Sequence, residues 1–152
     1  MIPGVYTISE LQQAIAQHPQ DWRPLVFTNG CFDLLHAGHV RYLQVAKSLG
    51  KALVIGLNSD QSVQGIKPQP AHLPARPIVP QDQRAEVLAA LKAVDAVVLF
   101  DQPTATALLE ALQPDIYVKG GDYQIDRLPE ATAVQAYGGR VELVQIEVPS
   151  ST

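Results

Sequence analysis

The stretch "FTNGCFDLLHAGHVRYL", residues 27–43, decides the fold. An apolar run leads into it: "PLVFTNG", residues 24–30, reads as a buried strand ending at a glycine. A helical stripe leaves it, with Val40, Leu43, Ala46 and Leu49 three apart after Gly38 and Gly50 closing the pattern. "ALVIGLNSD", residues 52–60, is then a second strand that ends in polar turn residues. Strand, loop, helix and strand make one βαβ unit, and such units cross over right-handedly into a parallel sheet.

Working outward, "TISELQQAIAQH" reads as a helix with Ser9 as its cap and Ile8, Leu11 and Ile15 on one face. Downstream, "QDQRAEVLAALKAV" is helical, "DAVVLF" a strand, "TATALLEALQ" a helix and "DIYVKGGDY" a strand ending in a glycine turn. "LPEATAVQAYGG" gives a short helix and "VELVQIEV" the last strand. Five strands alternating with helices predict an α/β fold: a Rossmann-like, doubly wound, five-stranded parallel sheet in a single domain over residues 1–152. Residues 1–24 form a helical lead-in to it. Five of the twelve prolines fall between Pro68 and Pro80, which excludes a regular helix or central strand and makes residues 67–80 a connector or a flap.

Composition narrows the function classes. A length of 152 residues with 47% hydrophobic and 17% charged residues suits one globular domain. The net charge of −4 argues against a general nucleic-acid surface, which needs a basic face. Cys31 is the single cysteine, so neither a disulfide nor a cysteine zinc cluster is available. No run reaches the length of a membrane span and no signal peptide is recognisable, so a membrane is not expected and a reduced cytoplasm is the default location.

Polar residues gather after the strands: Thr28, Asn29, Asp33, His36 and His39 after the first, Asn58, Ser59 and Asp60 after the second, Lys119 to Asp122 after the fourth, and Ser150 to Thr152 after the last. In open α/β sheets ligands bind outside the carboxyl ends of the strands, so this rim is the expected site. The two histidines admit three readings. They cap or pack at a helix start; they bind a metal, for which His18 and His72 lie in unrelated contexts; or they handle phosphate at a helix N-terminus, where free N–H groups and the dipole favour anions. Gly38 would let a phosphate approach the backbone. Cys31, Trp22 and Tyr42 read as packing residues, and Asp60 as either turn chemistry or a nucleotide contact.

"TNGCFDLLHAGHV" resembles the signature of the cytidylyltransferase-like nucleotidyltransferases, whose His-x-Gly-His motif grips nucleotide phosphates. "NSD", the Gln and Arg of "QDQRAEVLAAL", "VKGGDY" and the terminal "SST" fall where that superfamily places site segments. "FTNGCFDLLHAGHVRYL" and "VKGGDY" look most like the bacterial heptose 1-phosphate adenylyltransferases in their free-standing form, and less like the glycerol-phosphate cytidylyltransferases.

The resemblance implies transfer of a nucleotidyl group from ATP, or from CTP in the alternative branch, to a sugar phosphate, with Mg²⁺ accompanying the triphosphate. A nucleotide-binding module without catalysis is the reading from a different class. His36, His39, Lys67 and Arg84 are then the catalytic candidates, contacting the phosphates. Thr28, Asn29, Gly30, Cys31, Phe32, Asp33, Gly38, Lys119, Gly121, Asp122, Ser151 and Thr152 are the nucleotide-binding candidates. Asp33 would steady its loop or help hold Mg²⁺; no other protein ligand for the metal is implied. Ser151 and Thr152 would begin a second phosphate motif whose continuation in the family is another threonine and a helix, so full ATP affinity is expected to need that continuation. A homo-oligomer is compatible with the family.

Overall fold

The computed structural model describes residues 2–66, 76–121 and 124–146. Strands β1 (Val5–Tyr6), β2 (Leu25–Gly30), β3 (Ala52–Asn58), β4 (Ala96–Phe100), β5 (Ile116–Gly120) and β6 (Arg140–Val144) form one sheet in the order β1-β4-β3-β2-β5-β6, every pairing parallel. The chain steps from β2 to β3 and β4 on one side, then crosses back to place β5 and β6 on the other. The switch point therefore lies between β2 and β5, the crevice in which such sheets hold ligands.

The helices are α1 (Ile8–Gln17), α2 (Pro19–Trp22), α3 (Ala37–Ser48), α4 (Asp60–Ile66), α5 (Gln81–Ala89), α6 (Thr106–Leu112) and α7 (Pro129–Ala136), with a 3₁₀ turn at Ile125–Arg127. They cover both faces of the sheet. Alternate strand residues serve two cores: Leu25, Phe27, Val54 and Val98 pack with α1, α6 and α7, whereas Val26, Leu53, Ile55 and Val97 pack with Leu43 of α3 and Leu88 of α5. Strands buried on both faces read as continuous apolar runs, which is why "PLVF" and "ALVIGL" show no alternation.

The expected five strands are six. Val5 and Tyr6, inside the expected helical lead-in, pair with Val97 and Val98 of β4. Two residues are too few to display a period, and this edge strand owes its existence to a partner some ninety residues away. The cap of α1 is Thr7 in place of Ser9: the Thr7 hydroxyl accepts the Glu10 N–H at 3.1 Å, and the Glu10 carboxylate accepts the Thr7 N–H at 2.8 Å. Leu11 and Ile15 are buried as expected, while Ile8 stays 37% exposed. Asp60, read with Asn58 and Ser59 as the turn that ends the second strand, opens α4. Of the proline-rich segment, only residues 76–80 are among those described.

Candidate functional site

Helix α3 begins at the rim of the β2–β5 crevice, and its cap is a histidine. Nδ1 of His36 accepts the Gly38 N–H at 3.0 Å, and Nδ1 of His39 accepts the His36 N–H at 3.2 Å, a reciprocal box built from two imidazoles. An Nδ1 that accepts carries no proton, so both rings hold theirs on Nε2. Neither Nε2 has a protein partner among the described residues. The rings lie 4.2 Å apart between centroids, and Phe32 meets His39 edge-on at 5.9 Å. Burial, and secondarily the charge of His36, push the His39 pKa below its ordinary value. The result is two outward N–H donors at a helix N-terminus, an arrangement that suits phosphate oxygens.

The loop between β2 and α3 is held by its own charges. Phe32 sits at φ 47°, a left-handed conformation for a non-glycine residue, and Asp33 follows it. The Asp33 carboxylate accepts the Ile78 N–H at 2.8 Å and the Val79 N–H at 2.8 Å, and lies 3.3 Å from Nη1 of Arg76. Burial raises the Asp33 pKa, yet the Val79 and Ile78 N–H groups and the charges of Arg76 and Arg84 outweigh it and hold the carboxyl below its ordinary range. Both oxygens are engaged, so this side chain does not fit a Mg²⁺ ligand as it stands, whereas the expected role of steadying the loop fits. Among the described residues no cluster of three or more His, Cys, Asp or Glu is placed to hold a metal ion.

Arg84 differs most from expectation. Its side chain is 0% exposed and every nitrogen is committed. Nε donates to the Val79 carbonyl at 2.8 Å, Nη1 to the Cys31 and Asn58 carbonyls at 2.7 and 2.8 Å, and Nη2 to the Asp60 carboxylate at 2.8 Å. The cause is local: Arg84, Ala85 and Leu88 form the buried face of α5. Four of its five N–H donors are thus spent inside the protein, and the residue ties the site loop, the end of β3, the start of α4 and Val79 together. Asp60 is thereby a charge partner, and its N–H donates to Gln81 at 2.9 Å.

Other expected residues fall into two groups. Thr28 is fully buried, and its hydroxyl donates to the Val118 carbonyl at 2.8 Å beside the Tyr42 hydroxyl, so its side chain is spent inside the fold. Gly38 is buried with its N–H spent on His36. Asn29 accepts the Tyr117 hydroxyl, and its carbonyl lies 3.5 Å from Nζ of Lys119. Cys31, read as packing, is half-exposed and lines a cavity together with Asn29, Gly30, Phe32, Asp33 and Lys119. At Gly121 a Cβ would stand 2.0 Å from Cγ of Gln145, so a larger residue there requires that exposed side chain to move. Lys67, Asp122, Ser151 and Thr152 lie outside the described residues.

Tyr42 packs against the core as expected, and its hydroxyl adds a bond that packing did not announce. It donates to the Val118 carbonyl at 3.1 Å, bolting the helix that carries His39 and is capped by His36 to the strand that carries Lys119. Trp22 does pack as expected, edge-on to Tyr6 at 6.1 Å between centroids.

A parallel sheet whose switch point is bordered by imidazole donors at a helix N-terminus makes an α/β domain with an anion-accepting rim. The comparisons agree: a family described as Cytidylyltransferase-like matches residues 27–150. The chain belongs to the cytidylyltransferase-like family. It is 48% identical over 148 residues to the bifunctional protein HldE of Citrifermentans bemidjiense, which covers 97% of this chain and 29% of that one. It is 49% identical over 140 residues to the bifunctional protein HldE of Geobacter sulfurreducens, covering 92% of this chain and 28% of that one. The chain thus spans under a third of the length of these relatives. Among solved structures, the lipopolysaccharide core biosynthesis protein of Thermoplasma volcanium superposes with a TM-score of 0.64 at 27% identity, covering 82% of this chain and 97% of that one. The pantoate-beta-alanine ligase of Francisella tularensis, at 16% identity, a TM-score of 0.60 and coverage of 98% of this chain and 68% of that one, shares the fold. Among the described residues no helix is long and apolar enough to cross a membrane.

Proposed function

We propose that this chain transfers AMP from ATP to a sugar 1-phosphate, heptose 1-phosphate in particular, and releases pyrophosphate. A phosphate oxygen of the sugar attacks the α-phosphorus in line, the bond from that phosphorus to the bridging oxygen breaks, and its electron pair leaves with pyrophosphate. Mg²⁺ enters as the counter-ion of the triphosphate substrate.

The observation that carries the reading is the reciprocal imidazole box at the start of α3. It fixes two Nε2–H donors on one side of a helix N-terminus, so they stabilise charge that grows on phosphate oxygens without having to reorganise. The match to bifunctional HldE proteins over most of this chain supports adenylyl transfer, and the likeness to a lipopolysaccharide core biosynthesis protein supports a sugar acceptor. Thr28–Phe32, Lys67, Gly121, Asp122, Ser151 and Thr152 are proposed to meet the substrates on the strength of the family signature. A reducing cytoplasm suits the single unpaired cysteine.

Pyrophosphate release, followed with ATP and with CTP against a panel of sugar 1-phosphates, tests the reading. Release with ATP and heptose 1-phosphate is expected. Turnover with CTP alone would overturn it in favour of a cytidylyltransferase, and nucleotide binding without any turnover would favour a binding module.

A further inference from the structure

Beside the start of α3 lies a cavity of about 450 Å³. Its walls are the exit of β2 from Asn29 to Leu34, His39 and Tyr42 of α3, Arg76, and the end of β5 at Lys119 and Gly120. Among the described residues of the lining, Arg76 and Lys119 are cations and Asp33 is the carboxylate. Asp33 already takes two backbone N–H groups besides Arg76, so its charge is shared among several donors. Lys119 is half-buried, and Glu130 of α7 and Cys31 are among the groups acting on it. Burial lowers the Lys119 pKa and these two neighbours raise it; an ammonium so poorly hydrated gains more from an arriving anion than an exposed one does. Among the described residues, a Cβ at Gly120 would meet nothing within 4 Å.

We propose that this cavity receives the phosphate of the acceptor, a monoester dianion, and that Lys119 and Arg76 select it, with Lys119 thereby serving the acceptor rather than the nucleotide. The inference rests on the nucleotidyl-transfer reading above. A guanidinium and an ammonium from two separate elements match the charge and the several oxygens of a monoester. The volume falls within the range of small-molecule sites. His39 borders both this cavity and the helix N-terminus, whereas His36 borders only the latter. An acceptor oxygen held here is thus delivered beside the imidazole that faces the α-phosphorus, and His36 is left to the pyrophosphate side.

The test is steady-state kinetics with ATP and heptose 1-phosphate on the wild type, Lys119→Gln, Lys119→Arg and Arg76→Gln. Removing either cation is expected to raise the acceptor KM by about 10- to 100-fold, with the ATP KM changed by less than about twofold and Lys119→Arg partly restored. A rise confined to the ATP KM, or an unchanged acceptor KM in both neutral variants, would overturn the proposal. Inorganic phosphate, titrated by calorimetry into the wild type and Lys119→Gln, keeps the two readings apart. A chain that turns over no sugar phosphate yet loses phosphate binding on substitution defeats the reaction and upholds the cavity. Arg76→Gln serves where Lys119→Gln does not fold, since the Arg76 side chain is 29% exposed.

Discussion

The two ends of the sheet hold cavities of nearly equal size, about 450 Å³ at the carboxyl ends of the strands and about 430 Å³ at the amino ends. Both are lined by arginine, aspartate, tyrosine and glycine. At the amino end, however, the polar groups face the protein. Arg23 donates to the carbonyls of Gln113 and Leu112 at the end of α6 and to the Asp115 carboxylate. Asp115 in turn accepts the Leu25 N–H at 2.7 Å, the Tyr137 hydroxyl donates to the Pro114 carbonyl at 2.7 Å, and Arg140 pairs with Glu142. Burial and the Asp115 charge push the Tyr137 phenol far above its ordinary range, so it remains a donor at any working pH. At the carboxyl end the histidine Nε2 atoms face outward. A cavity of this size and polarity is ambiguous; what separates a joint from a site is whether its donors are already spent.

Arg84 is the sharpest challenge to that distinction, because it is a joint built into the site end. Arg84→Ala is expected to cost about 3 kcal/mol, since it strands three carbonyls and removes the charge partner of the partly exposed Asp60, and to lower the melting temperature and activity together. Full stability with activity lost, by thermal melting and pyrophosphate release, would instead make it a phosphate ligand. Next in size, His36→Ala should slow turnover by roughly 10²- to 10³-fold while the melting temperature moves little. Parallel losses of both would reduce the histidine box to a helix cap. At the opposite end, Arg23→Ala should destabilise by about 1–2 kcal/mol and leave kcat unchanged, the reverse pattern. An altered KM there would turn the joint into a second site.

The smallest effect is one of pH. With the His39 pKa lowered in the folded protein, the unfolded chain binds the proton first as pH falls below the ordinary value of 6.5. Native stability should therefore decline from that point down to the folded pKa, and His39→Gln should flatten the decline. A wild-type melting temperature that is level across this window would contradict the half-buried ring's lowered pKa.

How much of this was legible in the sequence follows from the distance between partners. The histidine box is written within four residues, so its place at a helix start is visible in "HAGH". The strands β2 to β6 announce themselves as apolar runs between turn residues. Strand β1 does not, because two residues have no pattern until β4 supplies one. The hydrogen bonds of Arg84 and Tyr42 were equally invisible. Arg84 bonds residues five to 53 positions away, and Tyr42 reaches a carbonyl 76 positions on. Residue type told that Arg84 mattered; only folding told that its charge is used inward.

The seam at the switch point has a mechanical side. Strands β2 and β3 are laddered through six residue pairs, but β2 and β5 through only two, Val26 with Ile116 and Phe27 with Tyr117. Beyond them the sheet is stitched by side chains, with Thr28 and Tyr42 on Val118 and Tyr117 on Asn29. Apart from the two-residue edge pairing of β1 on β4, the shortest ladder of the sheet thus runs under its ligand crevice. A substrate that touches the ends of both strands completes the stitching, so part of its binding free energy appears as cohesion between the two halves of the molecule.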